Sequence, residues 1–113
     1  MSNRIEKVND LIRDNLSSII NKDLSLKRGI FVSITKVDTS KDLRYTKIFI
    51  SIFPEKEIEY AMNTFKKEIF RMQNLLNKKL SMKVFPKIQF ELDNTGKKIT
   101  ELDEIFEQIK NEN

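Results

Sequence analysis

The acidic and hydroxyl side chains of the segment DTSKDLRYTKIFI, which begins at Asp38, are of types that can do acid–base chemistry. Asp38 and Asp42 lie four residues apart, and two nearby carboxylates can hold a divalent cation or exchange a proton. A magnesium site needs further oxygen ligands, however, and Lys41 and Arg44 would compete for the carboxylates. The structural alternative is that Ser40 and Asp42 accept hydrogen bonds from backbone amides and close a turn. We favour the structural turn and predict no metal site here.

Residue types that most catalytic sites require are missing from the chain. Its 113 residues contain no His and no Cys, which removes the commonest general base and all thiolate metal sites. Gly29 and Gly96 are the two glycines, so no glycine-rich nucleotide loop can form. We therefore predict a non-enzymatic protein with no catalytic residue, no cofactor, no metal and no small-molecule substrate.

Positive charge is the remaining chemistry, and it is unevenly distributed. The net charge is +4, but residues 101–113 carry five acids and one Lys, so residues 1–100 carry +8. Residues 69–90 hold five cations and no acid. Such a stretch beside an acidic tail indicates a polyanionic partner, although ordinary solvated lysines are the alternative. The candidate RNA-binding residues are Lys66, Lys67, Arg71, Lys78, Lys79, Lys83 and Lys87, followed by Arg4, Lys7 and Arg13.

Apolar spacing predicts the elements that position these side chains. A period of three and four residues predicts a helix over residues 3–22, and alternation predicts strands over 29–37 and 45–53. Their short connection implies an antiparallel hairpin. Residues 55–80 then form one long helix or two helices end to end, residues 84–92 a third strand, and residues 100–109 a short last helix. In the long helix most of the cations fall on the outer flank, with Lys83 and Lys87 on the strand that follows.

This order predicts an α+β domain of two layers, with helices on one face of a three-stranded sheet. A helical crossover joins the second and third strands, so that pair can be parallel. We expect a single domain over residues 1–113, in which 101–113 is an acidic C-terminal helix or tail. Tyr45, Phe49 and Phe53 are interpreted as partly covered sheet residues, with base stacking as the minority interpretation.

The ordered set of motifs resembles the ribosome-binding factor A (RbfA) family from about Arg4 to Ile109. The hairpin reads Ser-Lys-Asp-Leu over residues 40–43, followed by Thr-Lys-Ile-Phe-Ile over 46–50, close to the family's Ser-Arg-Asp-Leu and Ala-Lys-Val-Tyr-Val. The third strand reads Pro-Lys-Ile-Gln-Phe over 86–90, with Asp93 three residues on. The first helix carries Arg4 and Val8, as the family's first helix carries an Arg and a Val-containing stripe.

The resemblance implies a type II KH-like fold of order α-β-β-α(α)-β-α without a GxxG loop. In the family an Ala-x-Gly kink separates the two central helices, and here that position falls on Glu68-Ile69-Phe70, with neither Ala nor Gly. The kink can persist with other side chains, or the helix can run straighter. The family's Arg after the kink falls near Gln73, where Arg71 can substitute.

The same resemblance implies a cytoplasmic, monomeric assembly factor. It would bind the small (30S) ribosomal subunit precursor through its 16S rRNA and assist late maturation, including processing of the rRNA 5′ end. The rival interpretation is a protein–protein adaptor with no direct RNA contact. A polar N-terminus and the absence of a long apolar run argue against a signal peptide or membrane span, so no membrane partner is expected.

Overall fold

The computed structural model describes residues 2–93, with side chains from Arg4 onward. The predicted last helix and the acidic segment 101–113 lie outside the described residues. In chain order the elements are α1 (Ser2–Asp23), β1 (Phe31–Thr39), β2 (Tyr45–Phe53), a 3-10 turn (Glu55–Glu57), α2 (Ile58–Lys79) and β3 (Lys87–Leu92).

The three strands form one mixed sheet in the order β1-β2-β3. β1 and β2 are antiparallel, with Thr39 opposite Thr46 next to the loop that joins them. β3 runs parallel to β2, with Lys87 opposite Tyr45. The predicted hairpin and the predicted parallel pair are both confirmed. The lengths of the connections explain both pairings. A five-residue loop can only reverse the chain, so β1 and β2 are antiparallel, whereas the helical crossover returns the chain to the end of the sheet where β2 starts, so β3 is parallel to β2.

The two helices cover one face of the sheet. α1 lies against β1, α2 lies against β3, and the helices contact each other. The side chains that meet between the layers are fully buried, with Ile12 and Leu16 from α1, Ile48 and Ile50 from β2, and Phe65 from α2 at 0–1% exposure. Each such burial contributes about 1.5–3 kcal/mol of apolar transfer free energy. The domain is therefore a small two-layer α+β fold, as predicted.

β1 departs from simple alternation because it contains a β-bulge. The pairing shifts between Ile34 and Lys36, so that Ile34 lies opposite Ile50 but Lys36 lies opposite Phe49. The extra residue, Thr35, re-phases the strand. Without it, Lys36 would point into the core; with it, Val37 does. The sequence shows the reason, since its apolar residues at 32, 34 and 37 are spaced by two and then by three.

α2 is a single α-helix through residues 68–70, where the family resemblance places a kink. No residue in this stretch disfavours the helix, because Glu, Ile and Phe lack the backbone freedom of glycine and the steric restriction of proline. An Arg71–Glu68 ion pair of 2.7 Å spans the position on the helix surface. Of the two alternatives for residues 55–80, the structure has one long helix, preceded by the 3-10 turn.

The third strand begins at Lys87, three residues later than predicted. Pro86 has no N–H to donate to a sheet, and it is buried just before the strand. Val84 and Phe85 precede Lys87, where the pairing with β2 begins, and they remain 54% and 38% exposed. The prediction that Lys83 lies on this strand is therefore wrong: Lys83 lies in the connection between α2 and β3.

Candidate nucleic-acid interface

The loop between β1 and β2 is closed by Ser40 and Asp42. Ser40 Oγ donates to Asp42 Oδ1 at 2.7 Å and accepts from the backbone N–H groups of Arg44 at 3.2 Å and Tyr45 at 3.0 Å. Asp42 Oδ1 also accepts from the Arg44 N–H at 3.1 Å. Leu43 adopts a positive φ of 60° to complete the turn, a conformation that glycine would adopt more easily. Ser40 and Asp42 thus have a structural role in this loop.

The same hydrogen bonds lower the pKa of the Asp42 carboxyl. The hydrogen bond from the Ser40 side chain is the largest cause, followed by the backbone N–H of Arg44 and then the Arg44 charge, while partial desolvation acts in the opposite direction. A carboxylate kept ionised by its own loop is a poor proton donor at neutral pH. Across residues 2–93 no group of three or more acidic side chains is placed to hold a metal ion.

Cations collect at the end of the molecule where this loop lies. α2 runs antiparallel to β2 and β3, so its last turn, with Lys78 and Lys79, reaches the end where β3 starts. At that end the backbone N–H of Lys87 donates to the Arg44 carbonyl at 2.8 Å. Gln73 on α2 bonds to Pro86 and Ile88 at 3.1 and 2.9 Å, which fixes the helix against the start of the strand.

The beginning of α1 lies at the same end. Asn9 Oδ1 accepts from the Thr39 hydroxyl at 2.6 Å, at the last residue of β1. A cavity of about 250 Å³ between Asn21 and Val32 shows that the other end of α1 lies at the start of β1. α1 therefore runs antiparallel to β1. We call the resulting cluster of exposed cations the basic end; its members are Arg4, Lys7, Lys41, Arg44, Lys78, Lys79, Lys83 and Lys87.

Six of the ten predicted RNA-binding residues belong to the basic end, and four do not. Lys67 and Arg71 lie one turn apart on the exposed side of α2, and Arg71 is bound to Glu68 and to the Asp23 carbonyl. Lys66 lies seven residues, about two turns, before Gln73, so it falls on the side of α2 that faces β3. Arg13 is three residues from Asp10, with which it forms a 3.9 Å ion pair. The predicted set is therefore divided between one end of the domain and its helical surface.

A groove of about 320 Å³ lies between α2 and the outer edge of β3, next to the basic end. Its lining includes the rings of Phe70 and Phe85 and the side chain of Lys87, and Phe70 is 78% exposed. The Gln73 amide also lines it, but its oxygen and nitrogen are occupied by the Ile88 N–H and the Pro86 carbonyl. The full lining is Ile69, Phe70, Gln73, Asn77, Phe85, Lys87 and Ile88. No pattern in the sequence indicates this groove, since it depends on the packing of a helix against a strand edge.

The interpretation of Tyr45 and Phe53 as partly covered residues is wrong. They are 57% and 66% exposed on the sheet face that the helices leave open, and Phe31 is 66% exposed beside Phe53. The Phe31 and Phe53 rings are 6.5 Å apart. Phe49, by contrast, is half-buried as expected. The sequence predicted which strand positions share a face, but not that the described part of the chain leaves that face open.

The fold and the basic end together define a class: a small α+β domain, two helices on one face of a three-stranded mixed sheet, with a cluster of exposed cations at one end. The model of the family described as ribosome-binding factor A matches residues 4–106. Ribosome-binding factor A of Clostridium botulinum strain Loch Maree is 30% identical over 109 residues, covering 95% of this chain and 91% of that protein. The protein of the same name from Halothermothrix orenii is 27% identical over 110 residues, covering 96% and 90%. The chain belongs to the ribosome-binding factor A family.

One crystal structure and one fitted homology model of a relative share the fold. The crystal structure of ribosome-binding factor A from Thermus thermophilus superposes with a TM-score of 0.66 at 18% identity, covering 78% of this chain and 93% of that one. A homology model of the T. thermophilus protein, fitted into the cryo-EM map of a 30S–RbfA complex, gives a TM-score of 0.67 with the same identity and coverage. Within residues 2–93 no helix has the length and apolar character to cross a membrane.

Proposed function

We propose that this chain is an assembly factor that binds the precursor of the small ribosomal subunit through its rRNA and assists late maturation, including processing of the 16S rRNA 5′ end. Membership of the ribosome-binding factor A family supports the proposal. So does the T. thermophilus relative, which has been fitted into a map of its complex with the 30S subunit. The protein would hold one rRNA conformation and leave before translation.

The basic end carries this proposal. The cations of the basic end come from five segments of the chain: the start of α1, the β1–β2 loop, the end of α2, the connection between α2 and β3, and the start of β3. Lys78 and Lys79 also offset the negative end of the α2 dipole, but that role does not account for Lys41, Lys83 or the other members. Cations gathered in this way neutralise phosphates and set the position of an RNA, with little reading of its sequence.

The groove between α2 and β3 adds a surface that can contact a base to the phosphate-binding surface of the basic end. Exposed rings at Phe70 and Phe85 offer flat surfaces to an unpaired base, and Lys87 lies in the same lining for its phosphate. The family resemblance implies a type II KH-like domain, and the described succession of helix, hairpin, helix and parallel strand supports that part of the proposal. Lys66 on the β3 side of α2 extends the positive charge along the groove. Lys67, Arg71 and Arg13 are secondary contacts.

Sedimentation with isolated small subunits tests the proposed function. The full chain is mixed with free subunits and centrifuged at a series of salt concentrations, and the bound fraction is measured. We expect it to co-migrate with the small subunit at low salt and to dissociate as salt rises, because each neutralised phosphate releases counterions. Absence from the subunit fraction would refute the proposal. Binding that does not respond to salt would favour the rival, a protein–protein adaptor.

A further inference from the structure

The open face of the sheet carries aromatic and basic side chains in alternation. On β2 the residues that point to this face include Tyr45, Lys47 and Phe49, in that order from the basic end. Tyr45 is 57% exposed. The β-bulge places Lys36 of β1 opposite Phe49, with its Nζ 5.7 Å from the centre of that ring. Rings and ammonium groups are thereby mixed on one flat surface.

Charge divides this face into two halves. The half next to the basic end has Lys36, Lys47 and Lys87 around Tyr45 and Phe49, with two acids, Asp38 opposite Lys47 and Glu91 opposite Phe49. The far half has the Phe31–Phe53 pair and no Lys or Arg at the paired positions of β1 and β2, and Asp93, which follows β3, accepts from the Thr35 hydroxyl. We call the first of these the near half. The near half adjoins the basic end, because Tyr45 pairs with Lys87, which belongs to the basic end.

We propose that the near half of the open sheet face is a second RNA surface, on which unpaired nucleotides lie and one base stacks against Tyr45. This inference rests on the proposed function, since the RNA is the one held at the basic end. Single-stranded nucleic acid is bound by surfaces that combine aromatic rings with nearby cations. The ammonium groups of Lys36 and Lys47 lie within reach of the phosphates of bases stacked there.

A protein partner fits this surface less well. Lysine is depleted from the centres of protein–protein interfaces, which need continuous apolar contact. In the near half Lys47 separates Tyr45 from Phe49, and Lys36 lies over the Phe49 ring. A surface interrupted in this way by lysine suits an alternation of bases and phosphates.

Substitution of the exposed rings tests the inference with a matched control. The full chain is titrated with a single-stranded oligoadenylate of about ten nucleotides, within the range of lengths that such surfaces hold, and Tyr45→Leu is compared with Phe53→Leu. Both residues lie on β2 and point to the same face, 57% and 66% exposed, but they are about 26 Å apart along the strand. We expect Tyr45→Leu to weaken binding about fivefold or more, as loss of a stacked base does, and Phe53→Leu to leave it unchanged. An unchanged affinity for Tyr45→Leu, or an equal loss for both variants, would overturn the inference.

Tyrosine fluorescence separates stacking from a general effect on the fold. Tyr45 and Tyr60 are the two tyrosines and the chain has no Trp, so Tyr60→Phe leaves Tyr45 as the fluorescent residue. Tyr60 lies away from this face, with the Lys27 ammonium 4.7 Å from its ring. We expect the oligoadenylate to quench the Tyr45 emission in this background. Binding without quenching would show that no base stacks on Tyr45 and would contradict the inference.

The failure of this inference is distinguishable from failure of the proposed function. Small-subunit sedimentation is repeated with Tyr45→Leu. If this variant loses subunit binding but keeps its affinity for the oligoadenylate, the face docks a protein and the inference is wrong. If it keeps both, the inference is wrong while salt-sensitive subunit binding of the unaltered chain still supports the proposed function.

Discussion

Ser40 shows how one small side chain can fix the conformation of a loop that lacks glycine and proline. Its hydroxyl is placed between the carboxylate of Asp42 and two backbone amides, so one oxygen replaces several turn-forming residues. This arrangement could be predicted from residue types and spacing. The positive φ of Leu43 could not, because nothing in the chemistry of a leucine favours it.

Removal of the Ser40 hydroxyl tests the loop. Ser40→Ala deletes three hydrogen bonds. Because the loop is exposed, water can take the place of some of them, so we expect the free energy of unfolding to fall by about 1 kcal/mol. Urea unfolding measures it. Ser25→Ala, in the exposed loop before β1, removes a serine for which the structure shows no side-chain hydrogen bond within residues 2–93 and should leave stability unchanged. Equal stability of the two variants would contradict the role assigned to Ser40.

The lowered pKa of Asp42 predicts an acid-sensitive contribution. Its ionised form is favoured in the folded chain, so the stability it contributes is fully present above the ordinary carboxyl pKa and disappears as pH falls through the lowered value. The stability difference between the unaltered chain and Asp42→Asn should therefore be present at about pH 7 and shrink below about pH 4. Unfolding of both proteins across this pH range measures it. A difference that grows in acid would show that the sign is wrong.

At the scale of elements, a buried chain of hydroxyls connects α1 to the hairpin. Thr39 donates to Asn9 Oδ1 at 2.6 Å, and its oxygen is 2.9 Å from that of Thr46. Because Thr39 uses its one proton on Asn9, Thr46 donates to Thr39. Thr39 and Thr46 are 5% and 0% exposed, so each lost bond leaves a polar atom without water.

Thr39→Val should therefore destabilise the fold more than Thr46→Val. The first substitution removes both hydrogen bonds and leaves Asn9 and Thr46 without these partners, which we expect to cost about 2–3 kcal/mol. The second removes one bond and should cost about 1 kcal/mol. Chemical unfolding of the two isosteric variants compares them. An equal or larger loss for Thr46→Val would contradict the order of donation.

The elements within residues 2–93 were predictable to within a few residues, and the exceptions have physical causes. The interior of β2 follows strict alternation, so its bounds at residues 45–53 were predicted correctly. β1 was predicted to alternate regularly along its whole length, because a strict period of two residues does not include the extra residue Thr35 of the bulge. β3 was predicted to begin at Val84 because apolar content alone does not show where pairing starts.

At the scale of the molecule, the basic end is a product of topology. Three groups of these cations are separated along the chain, and only the antiparallel course of α2 against β2 and β3 brings them together. The groups are Lys41 with Arg44, Lys78 with Lys79, and Lys87. The sequence identified most of the cations but grouped them by helix face. For this reason it included Lys66, Lys67, Arg71 and Arg13, which lie elsewhere, and gave Lys41 and Arg44 no place in the predicted set.

Charge reversal at the basic end should weaken subunit binding without unfolding the domain. Lys78 and Lys79 are exposed in the last turn of α2, and removal of two phosphate contacts should lower the slope of log affinity against log salt by about 1.5. The matched control is the double variant Arg28→Glu with Lys56→Glu, which has the same change in net charge at the opposite end of the domain.

The most direct test of the basic end as the RNA interface is small-subunit sedimentation of these two double variants beside the unaltered chain, at equal salt. Circular dichroism confirms that each is folded. The predicted result is that Lys78→Glu with Lys79→Glu loses most of the subunit binding, while Arg28→Glu with Lys56→Glu keeps most of it. Equal retention by both variants, or a larger loss for the Arg28–Lys56 variant, would contradict the basic end as the surface that meets the RNA.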